Sequence, residues 1–472
     1  MSKTLTRPAA PSIRSAVRLA AVCVAALSVP TAVRGQVPVP VVNNPQVPAD
    51  VSIPANFPGN PIAFFDDYSW RAFIALVWPA MNGQRGQADP AKTVDGTGPR
   101  VFETYKSLTE VFHSDGSAPT PWQQFDPPQY NPCGATQTFG DMTLGSFSKF
   151  SNLGQAGFGT LVGPLIAQNT TYVRYLTAFN EIEFTQILNQ KLYLRSSFNP
   201  PNPAVTFNNG SIDVKSAWVD MTNIPNPGRF YTRKANVLDP VTGQCSTLTV
   251  GLVGLHIVQK TPSRPQWIWT TFEHVDNVPP PNGGAGPFTF NDGTGSPMPA
   301  TNPYPLSRVL QPPTPPPFNV TRVKPINNDP TVLRSTVQTN VAYHAALPQN
   351  SVWQFYQLVM TQWPLKPNSP ATNGLPANTF PGTPSPNDST AFANTTLETF
   401  EQGSVFTGCM ACHNSTMKPT DFVWSLNDHA HPASSATPTI LMQNAAFRGL
   451  RDTLMRSKQE NLRNAAAQKK QP

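Results

Sequence analysis

Proline is the residue that most restricts this chain. It fills 54 of 472 positions, roughly twice its average usage. Proline removes a backbone donor and breaks helix interiors. The chain therefore cannot be built mainly of long helices, and short elements joined by many ordered loops are expected. Core material is still plentiful, with 39% hydrophobic and 10% aromatic residues. Charged residues are only 12%, about half the usual share. That argues against a charge-rich disordered protein, a coiled coil or a nucleic-acid binder.

The formal charge of +7 comes largely from one end. Lys3, Arg7, Arg14, Arg18 and Arg34 lie in the first 35 residues, which contain no acid. The remainder holds 28 basic and 26 acidic residues. This balance gives no electrostatic reason to expect binding to nucleic acid or to a membrane surface. Behind the basic start, an apolar stretch runs from Leu19 to Val33. The order basic, apolar, small is that of a secretory signal peptide. The stretch is shorter than the roughly 20 residues a membrane span needs, so cleavage is expected after Gly35 or Ala32. Val22 before Cys23 is too large for a lipoprotein processing site. The mature chain is expected to be periplasmic, without stable membrane insertion.

The fold class expected is α+β, and four regions follow from composition. Residues 1–35 are the signal, and residues 36–60 read as an extended arm or linker. Residues 61–390 read as a mixed β/loop-rich body with short helices, and residues 391–472 as a small helical C-terminal part. In the body, the spacing of Phe64, Phe65, Trp70, Phe73, Ile74, Leu76, Val77 and Trp78 predicts an amphipathic helix stopped by Pro79. Tyr175–Tyr193 and Ser351–Gln362 read as further helices. Thr247–Val258 and Gln266–His274 alternate like strands, with a Thr-Pro-Ser-Arg-Pro hairpin loop between them. Residues 278–318 carry 13 prolines and read as an irregular or polyproline-like excursion. The acidic pairs Asp66-Asp67 and Glu181/Glu183 read as surface or cap residues. Trp267, Trp269 and Phe272 read first as sheet core and second as cover for a cofactor. Near the end, Thr395-x-x-Glu398 has the form of a capping box opening a short helix. Residues 439–468 read as a helix with a basic face.

Of five cysteines, Cys23 lies in the signal. In an oxidising compartment, Cys133 and Cys245 are expected to form a disulfide, the alternative being two separate buried thiols. The remaining two belong to Cys409-Met410-Ala411-Cys412-His413. The pattern C-x-x-C-H is the signature of covalent c-type haem attachment. Thiols at i and i+3 share one side of a helical turn and can add to the two vinyl groups of one porphyrin. The next residue, His413, is then placed to offer a ring nitrogen to the iron. Two other chemistries share the cysteine pair. A thioredoxin-like site would place a strand before it, and a structural zinc would need two more ligands.

The segment Gly403-x-x-Phe406-x-x-Cys409-x-x-Cys412-His413 resembles the first helix and haem-binding turn of bacterial c-type cytochromes. The likeness runs from about Ala391 to the C-terminus, under a fifth of the chain. It implies one covalent haem c on Cys409 and Cys412, with His413 as proximal iron ligand. It also implies single-electron transfer with redox partner proteins. The distal ligand is open. Met417 is too close to His413 to cross the ring. Met442, Met455 and His274 are the main candidates. The only Met-Pro pair, Met298-Pro299, lies upstream, and His256, His429 and His431 are further histidines. Two function classes follow. One is an electron carrier with both axial positions filled. The other is a haem enzyme or sensor with an open distal site, or a haem-bearing subunit of a dehydrogenase complex. No nucleotide-binding glycine fingerprint, Ser/His/Asp signature or HExxH motif is present.

Overall fold

The computed structural model describes residues 37–145, 164–199, 202, 204–239, 242–280, 283–284, 286–294, 317–365, 367, 393–402, 408–413 and 420–431. Its strands are β1 (Lys106–Ser107), β2 (Thr143–Leu144), β3 (Arg174–Phe179), β4 (Ile212–Asp220), β5 (Thr232–Leu238), β6 (Cys245–Thr261), β7 (Arg264–His274) and β8 (Tyr356–Gln362). Its α-helices are α1 (Ile62–Leu76), α2 (Leu108–Val111), α3 (Glu181–Asn189), α4 (Thr336–Ala346), α5 (Cys409–His413) and α6 (Trp424–His429). One mixed sheet with a few short helices is an α+β arrangement. Among the described residues, no helix is long and apolar enough to cross a membrane.

The long strand β6 organises the sheet. β4 runs antiparallel along one of its edges. The other edge is divided, with β5 on the first half and β7 on the second. β3 and β1 extend the sheet beyond β4, and β8 extends it beyond β7. β2 joins β5 in parallel. The expected hairpin is present, with β6 ending at Thr261 and β7 beginning at Arg264.

Helix α1 covers one face of the sheet. Fourteen of its fifteen residues are buried, so it is a core helix rather than an amphipathic one. The Ser69 hydroxyl lies 2.7 Å from the hydroxyls of both Thr270 and Thr361. Trp70 packs edge-on against Phe272 and stacks on Tyr343 of α4. The expectation that Asp66 and Asp67 are surface or cap residues is corrected. Asp66 is fully buried and accepts from the hydroxyls of Thr336 and Thr361. Burial pushes its carboxyl up to about 7. Asp67 accepts from Arg71 and from the Tyr343 hydroxyl.

Three element readings also change. Tyr175–Tyr193 is not one helix: β3 ends at Phe179, and the Asn180 side chain caps α3 by accepting from the Glu183 N–H. Ser351–Gln362 is a 3-10 turn followed by β8. Almost every β8 residue is buried, so a strand covered on both faces lost the alternation that marks it. At Thr395 no α-helix starts. Asn394 makes the turn instead, accepting from Thr396, and a 3-10 turn follows at Thr399–Glu401. The predicted helix at 439–468 lies outside the described residues.

The structure joins Cys133 to Cys245 in a disulfide, with Cα atoms 5.7 Å apart and a sequence separation of 112. In the chain-entropy model, closing a loop of this length stabilises by about 4 to 5 kcal/mol. It ties the loop before β2 to the start of β6.

Candidate functional site

The sheet face opposite α1 carries the C-x-x-C-H segment. Directly opposed residues on neighbouring strands share a face, so the register defines three rows. The first is Tyr175–Ala217–Gly254–Glu273–Gln357. The second is Thr177–Lys215–His256–Thr271–Met360, and the third is Phe179–Asp213–Val258–Trp269–Gln362.

Each row holds part of the C-terminal segment. On the first, Glu273 accepts from the backbone and hydroxyl of Thr395, and Tyr175 donates to the Thr396 carbonyl. Gly254 must be glycine for this contact, because a Cβ there would sit 2.3 Å from the Thr396 hydroxyl. On the second, Asn394 donates to Thr271, and His256 lies 3.2 Å from the Glu398 carboxylate. Cys409 is half-buried and packs against the Val359–Met360 pair. On the third, Met410 donates its N–H to the Gln362 side chain, and its own side chain is fully buried.

His413 ends this helical turn. Its ring lies 4.3 Å from that of Trp269, centroid to centroid. Its Nδ1 is 2.8 Å from the Phe422 carbonyl oxygen. A carbonyl only accepts, so Nδ1 is the donor in this bond. Histidines that bind metals are oriented in this way, by a backbone carbonyl on the other nitrogen. Positions 409, 412 and 413 lie on one helix. A half-buried thiol at Cys409 and an oriented imidazole at His413 on one helical turn are what a covalent haem would require of these two residues. Among the described residues, no group of three or more His, Cys, Asp or Glu side chains could hold a metal ion.

The turn that supplies the Phe422 carbonyl is itself held firmly. Lys260 Nζ lies 2.5 Å from Asp421 Oδ2, with both side chains 4% exposed. The Phe207 N–H donates to the same carboxylate, and the Trp267 indole N–H donates to the Asp421 carbonyl. Trp267, Asp421 and Phe422 all have positive φ, at 70°, 53° and 68°. Left-handed backbone at non-glycine residues is costly and concentrates at functional sites. Here three such residues meet at one place.

Beside this turn lies a crowd of carboxyls. Glu183 of α3 is fully buried, and neither of its oxygens has a hydrogen-bond partner among the described residues. Burial raises it well above the usual carboxylate range; Asp213 and Asp421 add to the shift and Lys260 opposes it. Burial likewise pushes Asp213 up to about 7, against the nearby Lys215. Asp421 is raised by burial and pulled back by Lys260. The expectation of Glu183 as a surface or cap residue is therefore corrected.

The candidate distal ligands fare differently. In His274, Nε2 donates to the Arg229 carbonyl and Nδ1 accepts from the Asp276 N–H. The ring is buried, stacked on Phe230, and held neutral by burial, its pKa lowered to about 3. Both nitrogens are committed to backbone, so His274 has none to offer a metal. Met442 and Met455 lie outside the described residues. His431 pairs its backbone with Tyr193 and Arg195.

Sequence reading missed Lys260, Asp421, Phe422, Glu183 and Asp213. Only one local signal was available: Asn180-x-x-Glu183 has the form of a helix start, which would have placed Glu183 in a first turn beside β3. Comparison with protein-family models, curated proteins and solved structures finds no match to this chain.

Proposed function

We propose that this chain is an exported monohaem c-type protein that transfers single electrons in the periplasm. Cys409 and Cys412 would carry the haem, and His413 would bind its iron. The observation that carries the reading is the Nδ1–H···O bond from His413 to Phe422 at 2.8 Å. It selects the tautomer that an axial histidine uses, and no disulfide-exchange site needs it. Bound haem supplies one-electron exchange at iron. The chain's own residues supply the setting. Trp269 packs on the His413 ring and keeps water from that side. Lys260, Phe207 and Trp267 fix the turn that orients it. Residues 391–472 would form a cytochrome c-like haem region completed by the sheet rather than a free-standing domain. Redox proteins of the same compartment are the expected partners.

His413→Ala is the discriminating variant. It should keep the covalent link through Cys409 and Cys412, and so keep haem staining on a denaturing gel. Its visible spectrum should change from low spin to high spin. An unchanged low-spin spectrum would remove His413 from the iron.

A further inference from the structure

We infer that fully buried Glu183 and half-buried Asp213, acting with Lys260 and Asp421, form a proton-binding site coupled to the redox state of the haem. This rests on the haem reading above. The geometry that supports it begins with register. Asp213 opposes Val258 on β6, and Val258 opposes Trp269 on β7, so Asp213 and the tryptophan that packs against His413 share a row. Lys260 stands two residues from Val258, on the same face. Glu183 lies on α3, which Gln186 ties to the 206–208 loop through bonds to the Thr206 carbonyl and the Asn208 N–H. Phe207 in that loop donates to Asp421.

The groups facing the pair are Lys215 from β4, His256 and Lys260 from β6, and Asp421 from the turn before α6. His256 is matched by Glu398, and Lys260 by Asp421. Glu183 is fully buried, Asp421 is buried and Asp213 is half-buried, and among the described residues Glu183 has no hydrogen bond to stabilise its charge. Like-charged carboxyls in one buried place hold a proton near neutrality. The pair is not on the iron ligand. It acts through Asp421-Phe422, whose side chain is tied to Lys260 and whose next carbonyl holds His413.

The step balances simply. One electron enters from a one-electron donor protein, and one proton enters from solvent. The proton forms an O–H bond on a carboxylate oxygen of Asp213 or Glu183. No other bond is made or broken. An added electron favours the protonated form, so reduction becomes harder as pH rises. At full coupling the ratio of reduced to oxidised protein falls tenfold per pH unit, about 59 mV for one electron.

The test is the midpoint potential of the intact haem-loaded protein against pH, with proton uptake on reduction read by a pH dye. The potential should fall over the unit on either side of neutrality, and uptake should appear in the same range. Asp213→Asn or Glu183→Gln should flatten the curve and remove the uptake while leaving haem attached. Two variants are used because either could fold poorly. A flat potential in the wild type overturns the proposal, and so does a dependence that survives in both variants. Absence of covalent haem would instead overturn the function it rests on, and the inference with it.

Discussion

Cys412→Ala protein, exported alongside haem-maturation machinery, should carry covalent haem at roughly a tenth of the wild-type level or less. Two thioethers anchor the porphyrin in the pattern proposed for Cys409 and Cys412. Removing one leaves a single tether and a ring free to turn about it. Attachment to His413 cannot compensate, because an axial nitrogen bond is reversible and is lost on denaturation. The check is haem staining after denaturing electrophoresis, normalised to protein. Wild-type staining in this variant would mean that the cysteine pair is not the attachment site. Cys409→Ala should behave alike. Its half-buried position against Val359 and Met360 adds a packing loss.

Lys260→Met should destabilise the fold by about 3 to 5 kcal/mol, the usual cost of stranding one partner of a buried ion pair. Its side chain and that of Asp421 are both 4% exposed and meet at 2.5 Å. Without the ammonium, the Asp421 carboxylate remains among Glu183 and Asp213 with only the Phe207 N–H and neighbouring dipoles to hold it. Urea unfolding of the haem-loaded protein measures the loss. The double variant Lys260→Met/Asp421→Asn should recover part of it, since the stranded charge is gone. The pH dependence has a definite sign. Glu183, Asp213 and Asp421 all have folded pKa values raised above their unfolded ones. The fold then binds more protons than the unfolded chain between those values, so stability falls as pH rises from the ordinary carboxylate range toward neutrality. Lys260→Met should steepen that fall. A loss under about 1 kcal/mol, as for an exposed pair, would show that the turn at Asp421 does not depend on Lys260.

Strands β6 and β7 were legible in the sequence because Leu248, Val250 and Leu252 alternate with polar neighbours in an otherwise apolar run. The hairpin between them was legible from its prolines. β8 was not, because its residues are buried on both faces without a clean apolar/polar alternation, and Trp353, Phe355 and Tyr356 fit helical spacing as well. The break inside 175–193 had a local cause, the Asn180 cap, that hydrophobic periodicity overlooked. The C-x-x-C-H pattern could be read directly, since Cys409, Cys412 and His413 lie within five residues. What surrounds it could not. Trp269 reaches His413 across 144 positions, and Lys260 reaches Asp421 across 161. Those pairings depend on sheet register and on which face the C-terminal segment covers, and neither has a local signature. For the same reason Asp66 and Glu183 looked like surface acids: a carboxylate's burial is decided by elements far away in the chain.

The central claim is that Cys409, Cys412 and His413 bind one covalent haem. It is tested most directly by the visible spectrum of the exported protein, oxidised and reduced, after co-expression with maturation machinery shown to work on a control cytochrome. A low-spin c-type spectrum that does not shift with carbon monoxide, with the haem staying on the protein through acid–solvent extraction, is the predicted result. Protein exported without any covalent haem would contradict it.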